Sequence, residues 1–279
     1  MRKKVQISVG VLVAAVVIFI LVARTKQSQQ LYLAKPTYIA MGDSVSAGIG
    51  LPGESDSSAC NRTDSSYPAI LSKIINYDVI NISCSGATVA SGLVGKQNVN
   101  KLLIDTQLDQ LFSYKKPKLI TMTIGANDIG WVSVMSKCVI ATCGTDEDSA
   151  ILNAKFDTLA QDISGVLDKI KNHYDVNPSK VLMTGYYEVV SPNLTCSDAA
   201  GITPAEASWI IKQQQDYNRV LRNVVASYDF VTYVPILFEN HTLCSTESWV
   251  QGLTERAPYH PNEAGQTSIA QQVAKIISK

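Results

Sequence analysis

Short apolar runs rich in β-branched residues alternate with longer amphipathic stretches from residue 37 onward. The apolar runs predict five β-strands, at Tyr38–Met41, Val79–Ile82, Leu119–Ile124, Val181–Thr184 and Val231–Val234. The amphipathic stretches predict helices at Tyr67–Ile75, Asp105–Ser113, Ala150–Lys171, Pro204–Tyr228 and Asn262–Ile277. The remaining long stretches, all of which carry cysteine, are predicted to be loops: Leu51–Ser66, Trp131–Asp148 and Val190–Gly201.

The alternation of strands and helices predicts the fold class. Successive strands separated by a helix need crossover connections, and crossovers produce a parallel sheet that is covered on both faces. We therefore predict an α/β fold of the doubly wound, flavodoxin-like kind, a three-layer sandwich around five mainly parallel strands.

The N-terminus has the pattern of an export signal. A basic start at Met1–Lys4 precedes the uncharged run Val5–Ala23, which as a helix is about 28 Å long, close to the hydrocarbon core of a bilayer. A cleaved signal has a shorter apolar region and small residues at the cut, whereas here Leu21 and Arg24 occupy that region. We predict an uncleaved membrane anchor at residues 1–24, with secretion after cleavage as the alternative. A polar linker at 25–36 would then lead to one domain at 37–279.

Charge and cysteine content narrow the class further. The chain has 24 lysines and arginines against 24 acidic residues, and this zero net charge argues against a nucleic-acid partner. Six cysteines, an even number, all follow the export signal, which favours disulfides in an extracellular or cell-surface domain over buried free thiols. No C-x-x-C pair or nearby histidine offers zinc-ligand spacing, so neither a metal nor a cofactor is predicted.

Residues suited to catalysis follow the predicted strands. Gly42-Asp43-Ser44 comes after the first strand, Ser85-Gly86-Ala87 after the second and Gly125-Ala126-Asn127-Asp128 after the third, while Tyr259-His260-Pro261-Asn262 precedes the last helix. The carboxyl ends of parallel strands meet at one edge of the sheet, where ligands bind in this class of fold. The four segments are therefore expected to meet at one rim.

These residue types suit acyl transfer. Ser44 at a strand-to-helix turn is the candidate nucleophile, and it needs a base because a neutral hydroxyl is a weak nucleophile. Of the three histidines only His260 falls on the rim, since His173 lies near a helix end and His241 on a predicted loop. The backbone N–H groups of Ser44 and Gly86 and the side-chain amide of Asn127 are candidate donors to the oxyanion.

At these segments the chain resembles the SGNH (GDSL-type) serine hydrolases, over roughly residues 37–275. The matching blocks are residues 38–48 with Ser44, 84–88 with Gly86, 123–130 with Asn127, and His260-Pro261-Asn262. The resemblance implies the SGNH hydrolase fold, those four residues as the site, and no cofactor. It is strongest to secreted lipases, esterases and phospholipases of actinobacterial type with three disulfides. That implies the pairs Cys60–Cys84, Cys138–Cys143 and Cys196–Cys244.

One position departs from the family pattern. The usual Asp-x-x-His block would place an aspartate three residues before His260, but Ala257 stands there. Some relatives of the lipase type are similar in using a backbone carbonyl to orient the histidine. Here Ala257 or Pro258 would provide that carbonyl, with Glu255 as a less favoured candidate.

The leading prediction is a carboxylic-ester hydrolase of the lipase or esterase type, acting on a small-molecule or lipid ester. Ile129–Val132 and the helix start near Trp209 are candidate walls of an acyl site. A carbohydrate O-acetyl esterase is the alternative within the enzyme class, because the scaffold hosts both activities. A catalytically silent cell-surface binding module is the alternative from another class, and the presence of all four site residues argues against it.

Overall fold

Seven strands are present in the computed structural model, which describes residues 19, 35–53, 59–174, 180–192, 194–199 and 201–278. They are β1 (Thr37–Gly42), β2 (Asp78–Asn81), β3 (Gln97–Val99), β4 (Leu102–Ile104), β5 (Leu119–Thr123), β6 (Lys180–Thr184) and β7 (Val231–Val234). Five of them form a parallel sheet in the order β2-β1-β5-β6-β7. The predicted doubly wound α/β fold and its five strands are confirmed, with boundaries shifted by a residue or two.

Seven α-helices accompany the strands in the described part of the chain. They are α1 (Ser44–Ala47), α2 (Tyr67–Ile75), α3 (Gln107–Phe112), α4 (Trp131–Ile140), α5 (Asp146–Tyr174), α6 (Pro204–Val225) and α7 (Glu263–Ile277). Helix α2 packs against α7, and α5 packs against α6, which gives the layers that flank the sheet. Strands β1 and β5 lie at its centre and are buried along almost their whole length, so the core surrounds the strands that carry the first and third site segments.

Helix ends follow local sequence signals. Thr203 and Glu206 form a capping box at the start of α6, where Pro204 takes a first-turn position that needs no N–H donor. Asn262 caps α7 by accepting from the backbone N–H of Gly265 at 3.0 Å. That cap fixes the chain direction immediately after the predicted catalytic histidine.

The prediction of a loop over Trp131–Asp148 is wrong, because most of this segment is helix α4. Only Met135 and Cys138 of α4 are buried, while Val132 and Ile140 are exposed. The apolar stripe is therefore narrow, and β-branched residues lower the helix propensity further, so the period is weak in the sequence. Helix α5 is longer than predicted, whereas α3 and α6 are shorter.

The hairpin β3–β4 has no counterpart among the predicted elements. Its two-residue turn places Asn100 and Lys101 at φ of 51° and 71°, the left-handed pair that a tight hairpin turn of the I′ kind requires. Asparagine tolerates this conformation but lysine does so rarely, and the short strands give little alternation to detect. The hairpin forms a separate two-stranded sheet.

All six cysteines form disulfides. The bonds join Cys60 to Cys84, Cys138 to Cys143, and Cys196 to Cys244. These are the pairs that the family resemblance implies. Cys138–Cys143 ties the end of α4 to the segment that follows it, and the other two bonds join irregular segments to each other.

The predicted membrane anchor at 1–24 lies outside the described residues except for Phe19. No helix among the residues that the structure describes is long and apolar enough to span a bilayer. The described residues from Thr37 onward belong to one compact unit.

Candidate active site

The turn between β1 and α1 presents Ser44. Gly42 has φ of 134°, and a side chain there would overlap the carbonyl oxygen of Thr123 on the neighbouring strand, so glycine is required. Asp43 donates its backbone N–H to that same oxygen at 2.9 Å and caps α1 through a bond from the N–H of Val45, also 2.9 Å long. These contacts fix Ser44 at the carboxyl end of β1.

Ser44 and His260 are hydrogen-bonded although 216 residues separate them in sequence. The distance from Ser44 Oγ to His260 Nε2 is 2.8 Å. Burial lowers the pKa of His260, and the nearby carbonyls of Pro258 and Ala257 oppose that shift only in part. The imidazole is therefore held in its neutral form, whose Nε2 can accept the serine proton.

The carbonyl of Pro258 is hydrogen-bonded to the histidine ring. Its oxygen lies 3.1 Å from His260 Nδ1, whereas the carbonyl of Ala257 accepts the backbone N–H of His260 at 3.2 Å. Glu255 is exposed to solvent. Of the three candidates, Pro258 is thus the one in contact with the ring nitrogen. An acceptor at Nδ1 selects the tautomer with its proton there and leaves the Nε2 lone pair facing Ser44.

The backbone before His260 is strained and held in place. Tyr259 has φ of 67°, a left-handed conformation that is unfavourable for an aromatic residue. The buried hydroxyl of Tyr187 donates to the carbonyl of Tyr259 at 2.9 Å, and the N–H of Tyr259 donates to Gln251 at the same distance. The surrounding structure therefore over-determines the position of His260.

Gly86 and Asn127 are bridged to the same edge of the sheet. The N–H of Cys84 donates to the carbonyl of Gly42 at 3.0 Å, which ties the second segment to the end of β1. Asn127 Nδ2 donates to the carbonyl of Ala87 at 2.9 Å, which ties the third segment to the second. Gly86 has φ of 79° and is exposed, and within the described residues its N–H donates to no protein acceptor. The four predicted segments are thus brought together at one rim.

An apolar cavity of about 360 Å³ opens beside Ser44, Asn127 and His260. Its walls are mainly apolar and aromatic, and they include Trp131, Val132, Met135, Tyr187, Val189 and Leu253. Helix α4 supplies the first three, so the element missed from the sequence is a wall of the cavity. Trp209, predicted as another wall, does not line it and instead donates its Nε1 to Ser149 Oγ at 2.9 Å.

Two buried side chains that support the turn were not found from the sequence. The side-chain amide of Gln107 makes two hydrogen bonds to Gly42: its Oε1 accepts from the Gly42 N–H at 2.7 Å, and its Nε2 donates to the Gly42 carbonyl at 2.9 Å. The hydroxyl of Tyr186 donates to Asp43 Oδ2, and burial raises the pKa of Asp43 to about 7 although Tyr186 and Val45 both hydrogen-bond to it. Neither residue belongs to a recognisable local motif, because each is hydrogen-bonded to a residue that is distant in sequence.

The other two histidines lie elsewhere. His173 stacks on Phe112 with 4.0 Å between ring centroids, and His241 stacks on Trp249 at 3.8 Å. Neither histidine lines the cavity beside Ser44. Among the described residues, no group of three or more His, Cys, Asp or Glu side chains is arranged to hold a metal ion.

The fold and the site together define a doubly wound α/β protein with a serine and a histidine at the carboxyl edge of a parallel sheet. Residues 40–267 match the model of the GDSL-like lipase/acylhydrolase family. Lipase 1 of Streptomyces coelicolor is 30% identical over 261 residues, covering 88% of this chain and 87% of that protein. The chain therefore belongs to the GDSL-like lipase/acylhydrolase (SGNH) family, as a lipase or esterase.

Solved structures agree with this assignment. The extracellular lipase from Streptomyces rimosus superposes with a TM-score of 0.71 at 25% identity, covering 86% of this chain and 99% of that one. Phospholipase A1 from Streptomyces albidoflavus has a TM-score of 0.66 at 24% identity, covering 87% and 99% of the two chains, and shows the same fold.

Proposed function

We propose that this chain is an extracytoplasmic carboxylic-ester hydrolase that uses Ser44 and His260 as a catalytic dyad and forms an acyl-enzyme. The observation that carries the proposal is the 2.8 Å contact between Ser44 Oγ and His260 Nε2 at the mouth of the apolar cavity. A serine within hydrogen-bond distance of a neutral, oriented imidazole is the arrangement that nucleophilic acyl transfer needs.

The first half-reaction transfers the acyl group to the enzyme. Ser44 Oγ attacks the ester carbonyl carbon while His260 Nε2 takes the hydroxyl proton, and the imidazolium then gives that proton to the departing alkoxide. Pro258 keeps the Nδ1 proton in place throughout. A backbone carbonyl brings a dipole but no full negative charge, so it stabilises the imidazolium less than a carboxylate would.

The second half-reaction releases the acid. Water takes the position of the departed alcohol and loses its proton to His260 Nε2 as it attacks the acyl carbon. Ser44 Oγ then leaves and recovers the proton from the imidazolium. The dyad returns to its starting protonation state without any cofactor.

Three donors would stabilise the oxyanion in both steps. Asn127 Nδ2 uses one of its two hydrogens on Ala87, which aims the amide and leaves the second hydrogen available. The N–H of Ser44 stands at the first position of α1, where no intrahelical acceptor exists. The third donor is the backbone N–H of Gly86, which has no side chain to block close approach of the substrate.

The cavity favours an acyl chain as the bound part of the substrate. Its volume of about 360 Å³ is within the range of about 300–1,000 Å³ for small-ligand sites, and its apolar walls gain free energy by excluding water from alkyl groups. An acetyl group would contact only a small part of these walls. A lipid or medium-chain ester therefore fits better than an acetylated carbohydrate.

An oxidising location accords with the three disulfides. We propose residues 1–24 as an export segment that anchors the protein or is cleaved, 25–36 as a linker and 37–279 as the hydrolase domain outside the cytoplasm.

Substitution of the nucleophile tests the proposal. Ser44→Ala should abolish hydrolysis of p-nitrophenyl butyrate while the thermal midpoint stays near that of the unmodified protein. Ser208→Ala, on the exposed side of α6, is the matched control and should retain full activity. A panel of p-nitrophenyl acetate to decanoate and acetylated xylan should show kcat/KM rising with acyl length. Full turnover by Ser44→Ala would contradict the mechanism, and preference for xylan acetate would contradict the substrate class.

A further inference from the structure

The hairpin β3–β4 carries one buried polar residue at its base. Leu102 and Leu103 at the far strand are exposed, but Gln97, the first residue of β3, is almost completely buried. Its Nε2 donates to the carbonyl oxygen of Ser85 at 2.8 Å. The separate two-stranded sheet thus places a side-chain amide against the segment that contains Gly86.

The carbonyl that Gln97 holds belongs to the same peptide unit as the N–H of Gly86. A trans peptide is planar, and its C=O and N–H point in opposite directions. A hydrogen bond that fixes the Ser85 carbonyl therefore fixes the direction of the Gly86 N–H. Within the described part of the chain, Gln97 is the only donor to this carbonyl.

The neighbouring peptide units are held by backbone contacts. The N–H of Ser85 donates to Cys60 at 3.1 Å, and the N–H of Ala87 donates to Cys84 at 3.0 Å. The peptide between Ser85 and Gly86 lacks such a backbone bond, so its orientation depends on the side chain of Gln97.

Gly86 makes reorientation of this peptide easy without a restraint. A peptide can flip by opposite changes of ψ at Ser85 and φ at Gly86, and glycine adopts either sign of φ at little cost. The surroundings of the Gly86 Cα are open, since a Cβ built there would meet only Gln97 Nε2, at 3.6 Å. The glycine that lets backbone approach the substrate therefore also requires an external restraint.

We propose that Gln97 is a positioning residue that holds the Ser85–Gly86 peptide with its N–H directed at the oxyanion. This inference rests on the proposed function, since it assigns the support of one oxyanion donor. Without the amide of Gln97, the peptide samples orientations in which the Gly86 N–H points away from the oxyanion and the Ser85 carbonyl oxygen faces it.

Gln97→Met tests the assignment, because methionine keeps the length of the side chain and removes the donor. Gln97→Leu is a second variant that removes the donor with an apolar side chain of similar volume. The control is Gln110→Met, which removes a similar bond from a side-chain amide to the carbonyl of Asp105, 2.9 Å long, on α3. Active-site titration with an alkyl fluorophosphonate normalises kcat to the folded, reactive fraction of each variant.

Both Gln97 variants should lower kcat by at least about 10-fold. The loss should be smaller than the roughly 10²–10³-fold loss that deletion of a donor causes, and KM should change by less than about 2-fold. Affinity for an alkyl trifluoromethyl ketone, which forms an oxyanion on serine, should fall in parallel. Affinity for the alcohol of equal chain length, which cannot form one, should stay constant.

The outcomes separate this inference from the proposed function. An unchanged kcat per titrated site in Gln97→Met, or equal losses of affinity for ketone and alcohol, would overturn the role of Gln97 and leave the dyad untouched. Retained turnover by Ser44→Ala would overturn the proposed function itself.

Discussion

The amide of Asn127 is the side-chain donor whose removal can be predicted in most detail. In the proposed mechanism, Asn127→Ala removes one of the three donors to the oxyanion. Loss of such a donor typically lowers kcat by about 10²–10³-fold, or roughly 2.7–4 kcal/mol of transition-state stabilisation. The anchoring bond from Nδ2 to Ala87, 2.9 Å long, already aims the group, so water that replaces the side chain cannot reproduce its orientation. The loss should therefore fall in kcat, with KM nearly unchanged.

A second substitution sharpens this prediction. Asn127→Asp keeps the shape but turns an oxygen toward the carbonyl of Ala87 and adds negative charge beside a developing anion, so its kcat should be at least as low as that of the alanine variant. Asn153→Ala, on an exposed position of α5, is the control and should behave like the unmodified protein. Both constants are measured with p-nitrophenyl butyrate. A kcat within about 3-fold of the unmodified value, in an Asn127 variant with an unchanged thermal midpoint, would refute the assignment.

Three further predictions concern pH and stability. Only neutral His260 accepts the serine proton and burial lowers its pKa, so the acid limb of kcat/KM should be centred below about 6.5, the usual histidine value; a limb centred above it would contradict this. Burial raises the pKa of Asp43 from 3.8 to about 7, so the folded state binds this proton more tightly than the unfolded chain does. The contribution of Asp43 to the free energy of unfolding therefore falls as the pH rises through that window. In Asp43→Asn the free energy of unfolding, measured by urea titration, should depend less on pH than in the unmodified protein. Replacing Cys60 and Cys84 by alanine should lower the free energy of unfolding by about 3.5 kcal/mol, because the bond closes a loop between cysteines that are 24 residues apart. A loss under about 1 kcal/mol by urea denaturation would show that this disulfide is not stabilising.

The parts of this fold that the sequence predicts well are those with a strong local period. The central strands are short and apolar, and α5 repeats its buried positions over many turns, so packing and periodicity give the same answer. Helix α4 has only Met135 and Cys138 buried, and its exposed apolar residues hide the period. This helix lines the cavity and carries Cys138 of a disulfide, and a local hydrophobic pattern shows neither feature.

The residues of the candidate site likewise include some that the sequence predicts and others that it does not. Ser44, Gly86, Asn127 and His260 stand at ends of predicted elements, where topology alone indicates that they meet. The choice of Pro258 over Ala257 as the partner of the histidine ring could not be made from spacing, because it depends on the left-handed backbone at Tyr259. Gln97, Gln107 and Tyr186 act through side-chain hydrogen bonds to residues distant in sequence, and such bonds leave no periodic trace in the chain.

Covalent trapping of the nucleophile is the most direct test of this account. The protein is treated with an alkyl fluorophosphonate, and the intact mass and the modified peptide are determined by mass spectrometry. A single adduct should form on the peptide containing Ser44, with its rate reduced by orders of magnitude in His260→Ala and no adduct in Ser44→Ala. Labelling of another residue with loss of activity, or an equal rate of labelling in the His260 variant, would contradict the dyad.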